Sequence, residues 1–140
     1  MKIELSQEQY LTLAKLLQLA NWPLGLTAAG EELARKAEGL EQYILSLADD
    51  FSLRDQVFFD REEECYHLVE RLKEKVELII DEYEEYVFWD QLTHKLATID
   101  LKKQIKMDST IDEKINRMFQ LKEQYEKYFL KNGLENLTIF

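Results

Sequence analysis

The stretch DEYEEYVFWD, Asp81 to Asp90, decides how this chain is read, because carboxylates alternate with aromatics there between two long apolar stripes. It could be a metal or catalytic site, a docking surface, or a junction between helices. Side-chain phase separates these readings, since each helical residue advances about 100°. Upstream, Cys65, Val69, Leu72, Val76, Ile79, Tyr83 and Tyr86 follow a four-three spacing and share one face. Downstream, Leu92, Leu96 and Ile99 would fall about 180° away on the same unbroken helix. Supercoil drift is only about 20° per heptad. The sequence therefore predicts a break near Val87 and a new helix from Phe88, with Phe88, Trp89, Leu92, Leu96 and Ile99 on one face. The aromatics would fill the corner and the carboxylates would face water. A straight helix bridging two apolar surfaces is the alternative.

Outward from this junction the chain reads as a series of helices. Ser6 and Gln9 form a capping-box pair ahead of Tyr10, Leu13, Leu17 and Ala20, with Leu11, Leu16 and Leu19 widening the apolar arc almost all round. Trp22-Pro23 is expected to end this helix, because the residue before proline avoids the α region. A second helix starts near Thr27 or Gly30 and runs to about Asp49, with Leu33, Ala37, Leu40, Ile44, Leu47 and Phe51 on one face. Gly39 inside it would permit a close helix contact. Residues 52–59 form a connector. Asp60, with Glu63 three residues on, is the expected N-cap of a third helix. Thr110 and Glu113 make a second capping box for the last helix, with Ile111, Ile115, Met118, Tyr125 and Phe129 on one side and Gly133 at its C-terminal stop. Ile3 and Leu5 alternate like a strand, and Leu137-Thr138-Ile139-Phe140 is strand-like too. The expected fold is all-α: a single-domain bundle of four to five helices over residues 1–140, with a small two-stranded β-ribbon formed by the termini.

Composition narrows the function classes. Apolar residues make up 46 % of the 140 and charged residues 33 %, the balance of a folded domain. The net charge of −10 makes nucleic acid and anionic membrane poor partners. No apolar run is long enough for a signal peptide or a membrane span, and the single cysteine, Cys65, fits a reducing compartment, so a cytoplasmic location is expected.

The candidate chemistry is sparse. Glu64-x-x-His67 has the spacing of a metal-binding helix motif, but on the expected helix His67 points away from the apolar stripe, and Gln91-x-x-His94 lacks the matching carboxylate. Glu64, His67 and His94 are thus a weak metal-ligand set. A Cys65–His67 nucleophile pair is disfavoured, since residues two apart on a helix face different ways. Cys65 reads as a packed thiol and the many glutamates as a solvated face. No cofactor is expected, and no G-x-S-x-G, Walker loop, G-x-G-x-x-G or H-E-x-x-H is present.

Four stretches carry a resemblance: Leu5 to Tyr10 with Ala20-Asn21-Trp22, Glu41 to Ala48, Phe88 to Leu92 through Asp100-Leu101, and Lys131 to Leu137. Together they resemble a family of small uncharacterised bacterial proteins, in which a threonine or similar cap stands where this chain has Val87. The resemblance implies a bacterial cytoplasmic protein and brings no catalytic or binding residues. The functional expectation is a non-enzymatic interaction or regulatory helical protein. It would bind a protein partner or a second copy of itself through Leu11, Leu16 and Leu19 and through Phe88 and Trp89. A metal-dependent enzyme using carboxylates and histidine is the alternative.

Overall fold

The computed structural model describes residues 3–106 and 108–135. It is mostly helical. In chain order it contains α1 (Gln7–Gly25), a 3₁₀ turn (Ala28–Gly30), α2 (Glu31–Ser46), β1 (Val57–Asp60), β2 (Cys65–Leu68), α3 (Glu70–Gln104) and α4 (Ile111–Asn132). Two compact units emerge, one up to Asp81 and one from Glu82. No helix among the described residues is long and apolar enough to cross a membrane.

Both capping boxes form as the sequence predicts. The Ser6 N–H donates to Gln9 Oε1 at 2.8 Å and Gln9 N–H to Ser6 Oγ at 3.2 Å; Thr110 and Glu113 repeat the exchange at 2.8 and 3.2 Å. Gly133, at φ +54°, closes α4. Pro23 does not end α1, which continues to Gly25. A proline this near the C-terminus removes one backbone donor and leaves the rest of the last turn intact.

In the first unit, α1 packs on α2 around Tyr10, Ala14, Leu45 and Ala48, all buried. Tyr10 is the pivot. Its hydroxyl donates to the Ile44 carbonyl at 2.9 Å, near the end of α2, and its ring stacks on Phe51 at 4.5 Å between centroids. Gly30 sits where a Cβ would meet the Leu24 carbonyl oxygen at 2.5 Å, so only glycine fits that corner. Gly39 has nothing within 4 Å of its Cβ direction, and the close contact expected of it does not occur.

The β-ribbon is present but is not made by the termini. Ile3 and Leu5 lie outside any strand, and 137–140 lie outside the described residues. The sheet is an internal antiparallel hairpin that pairs Val57 with Leu68, Phe58 with His67, Phe59 with Tyr66 and Asp60 with Cys65. This corrects the connector at 52–59 and the helix start at Asp60. Asp60 does cap backbone N–H groups, accepting from Glu62 at 2.7 Å and Glu63 at 3.2 Å, but it holds a tight turn rather than a helix. Glu64 completes that turn at φ +54°.

The junction at Val87 is also corrected: α3 runs unbroken from Glu70 to Gln104. The expectation failed because it took the bulky residues for the inward ones. Leu72 and Val76 are buried in the first half, but Thr93 and Ala97 are the buried residues of the second. Val76 and Ala97 lie three heptads apart, so ordinary drift of about 60° separates them and one helix serves both. The carboxylates of Asp81–Asp90 face outward or are half-buried, while Tyr83, Tyr86 and Phe88 stay exposed instead of filling a corner.

The second unit joins the end of α3 to α4 through long side chains. Lys122 Nζ pairs with Asp90 Oδ1 at 2.6 Å, Arg117 bonds Gln104, and Tyr125 donates to Asp100. Trp89 leans on Phe129 with centroids 5.6 Å apart.

Candidate functional site

The hairpin turns a helix-spaced pair into a strand-spaced one. Side chains two apart on a strand share a face. Cys65 and His67 therefore stand together, with Cys65 Sγ 3.1 Å from His67 Nε2. The tight turn brings Glu63 over them: its Oε2 lies 3.0 Å from His67 Nε2 and 3.7 Å from Cys65 Sγ. Of the metal-ligand set expected from sequence, only His67 joins this cluster. Glu64 serves as the positive-φ residue of the turn, and His94 sits exposed on α3 in the other unit. The expectation that Cys65 and His67 face different ways was wrong because it assumed the wrong period. Aromatic and β-branched residues in VFFD and CYHL flanking a short charged run were the available hairpin signal.

Neighbours hold the pieces. Phe58, opposite His67 in register, lies against the imidazole with centroids 5.5 Å apart. On α2, the Gln42 amide clamps the β2 edge by accepting from Tyr66 N–H at 2.6 Å and donating to the Tyr66 carbonyl at 3.0 Å. It acts as a one-residue third strand, and it fixes the backbone between Cys65 and His67. A cavity of about 270 Å³ opens here, lined by Gln18 of α1, Glu38, Glu41 and Gln42 of α2, Glu63, Cys65 to Leu68, and Lys73. Gln18 Oε1 is shut off from solvent and has no hydrogen-bond partner among the described residues.

The cavity's charge is mainly negative. Burial pushes the Glu41 carboxyl up, the Asn21 amide bonded to it pulls down, and Glu38 pushes it up again. Lys73 answers Glu77 at 3.6 Å. Loss of solvent pushes the Cys65 thiol up, and Glu63, Asp60 and Glu38 push it further. A nucleophilic cysteine needs the opposite, a cation or helix N-terminus that stabilises thiolate. The arrangement thus suits cation binding better than attack by sulfur.

A second feature is a pair of half-covered apolar stripes. On α2 Ile44, and just past its end Leu47, pack on the core, but the same face stands open at Leu33 (56 % exposed) and Leu40 (49 %). On α4, Leu121 and Phe129 are buried, but Ile111 (75 %) and Ile115 (47 %) are open. Ile111 and Phe129 are five full turns apart, so they lie on one line. Among the interaction residues expected from sequence, Leu16 is exposed, Leu11 and Leu19 are half-buried with Leu11 on the core, Phe88 is exposed, and Trp89 is half-buried on Phe129.

No protein-family model matches the chain, and no curated protein and no solved structure matches it.

Proposed function

We propose that this chain is a non-enzymatic helical interaction module, a bacterial cytoplasmic protein that binds through the uncovered ends of its apolar stripes, first of all to a second copy of itself. The observation that carries this reading is that both α2 and α4 present one apolar face that outruns its covering, at Leu33 and Leu40 and at Ile111 and Ile115. Apolar side chains left exposed along one helix face favour association, because water ordered over them is released when a partner docks. A helix face laid into a groove or against a copy is the common form of such docking. The acidic surface keeps the module off nucleic acid and anionic lipid and steers it toward protein.

The test is the solution mass of the full chain by light scattering over a wide concentration range. A dimer that Ile111→Lys with Ile115→Lys returns to monomer, at unchanged helix content, supports the reading. A strict monomer at every concentration, indifferent to both substitutions, refutes self-association through this face.

A further inference from the structure

We propose that Glu63, Cys65 and His67 form a three-ligand binding site for a divalent transition ion of the zinc class. The donor set comes first. One thiol sulfur, one imidazole nitrogen and one carboxylate oxygen converge, all within 4.8 Å of one another. Sulfur and imidazole select zinc and its neighbours over magnesium or calcium, which prefer all-oxygen shells.

The geometry comes second. Zinc holds sulfur at about 2.3 Å and nitrogen or oxygen at about 2.0–2.1 Å in a tetrahedron, so ligand atoms around it stand about 3.3–3.6 Å apart. The observed triangle has edges of 3.1, 3.0 and 3.7 Å. Each edge is within about half an ångström of that requirement.

The surroundings come third. Glu38 and Glu41 line the same cavity and add negative charge that attracts a cation. Phe58 against His67 and Gln42 across Tyr66 hold the ligands in place, as outer groups do in metal sites. On binding, the Cys65 S–H bond breaks, the proton passes to solvent water, and the sulfur lone pair forms the bond to the ion. Three protein ligands and one open position are the composition of a site that can present a metal-bound water. The site does not depend on the association face proposed above and can stand if that reading fails.

The experiment uses the full chain, stripped with chelator and titrated with cobalt(II) and then zinc(II). The expected result is one ion per chain with a sulfur-to-cobalt charge-transfer band, displaced by zinc. Cys65→Ser abolishes the band, His67→Gln and Glu63→Gln each weaken binding by at least about tenfold, and Glu64→Gln leaves it unchanged. No stoichiometric binding, or a band and affinity that survive Cys65→Ser, overturns the proposal. Should a variant lose its helical signal, the wild-type chain decides alone. Its single thiol must become resistant to a disulfide reagent with one equivalent of zinc and regain reactivity with chelator. An unchanged labelling rate overturns the site.

Discussion

Replacing Gln42 tests whether α2 holds the hairpin and the cluster on it. Gln42→Met keeps the stem and removes both amide bonds to Tyr66, at 2.6 and 3.0 Å. Each bond contributes about 0.5–1.5 kcal/mol net, so the pair contributes about 1–3 kcal/mol. Water can reach the freed β2 edge in part, because Gln42 and Tyr66 are only half-buried, which sets the expectation at the lower end, near 1–2 kcal/mol. The assay is urea unfolding of a Trp89→Phe background, in which Trp22, in the same unit as the hairpin, is the one remaining indole. Hydrogen exchange adds a local readout: the Tyr66 amide should lose protection, while amides in the middle of α1 keep theirs. Gln42→Ala should cost slightly more through lost packing of the stem. Because Tyr66 lies between Cys65 and His67, zinc affinity should fall about tenfold in either variant. A Gln42→Met protein within about 0.5 kcal/mol of its parent, the range of an ordinary surface change, with Tyr66 still protected, would refute the clamp.

Other consequences follow from the same contacts. Gly39→Ala should raise stability by about 0.5–1 kcal/mol, since nothing lies near its Cβ and the helix gains propensity, whereas Gly30→Ala should lower it by about 1–3 kcal/mol against the Leu24 backbone; paired urea midpoints check the opposite signs. Burial pushes the Tyr10 phenol up to about 12. Its stabilising neutral form is fully present below the ordinary phenol value and is lost as pH rises through about 12, so phenolate absorbance should show a late step that Tyr10→Phe removes. The hydrogen bond from Lys122 holds the Asp90 carboxyl below its ordinary value, and the bond from Tyr125 does the same for Asp100. Those contributions are present above the usual carboxylate range and fade as pH falls through the lowered values, so Asp90→Asn should flatten the acid side of a stability-against-pH curve read by Trp89 fluorescence.

What the sequence by itself determined is what short range controls. Both capping boxes and the glycine stop of α4 follow from hydrogen bonds and conformation within a few residues and stand where the sequence places them, whereas on the apolar faces read for α2 and α4 Leu33, Leu40, Ile111 and Ile115 are exposed, Phe51 lies beyond the end of α2 and the buried Leu121 was not among the residues expected. Which half of each face is covered did not follow, because covering needs a neighbour from elsewhere in the chain. The unbroken α3 was illegible for a related reason. Thr93 and Ala97 carry little hydrophobic signal, yet they are the buried residues there, and the larger Phe88 and Ile99 stay outside. The cluster of Glu63, Cys65 and His67 hung on the hairpin, whose signal in VFFD and CYHL competes in the sequence with a helical reading. Glutamates at 62–64 suit a helix as well as a turn, and only pairing with Val57–Asp60 and the Gln42 clamp impose a period of two. That change of period, from 3.6 to 2, is what turns Cys65 and His67 from diverging neighbours into a pair.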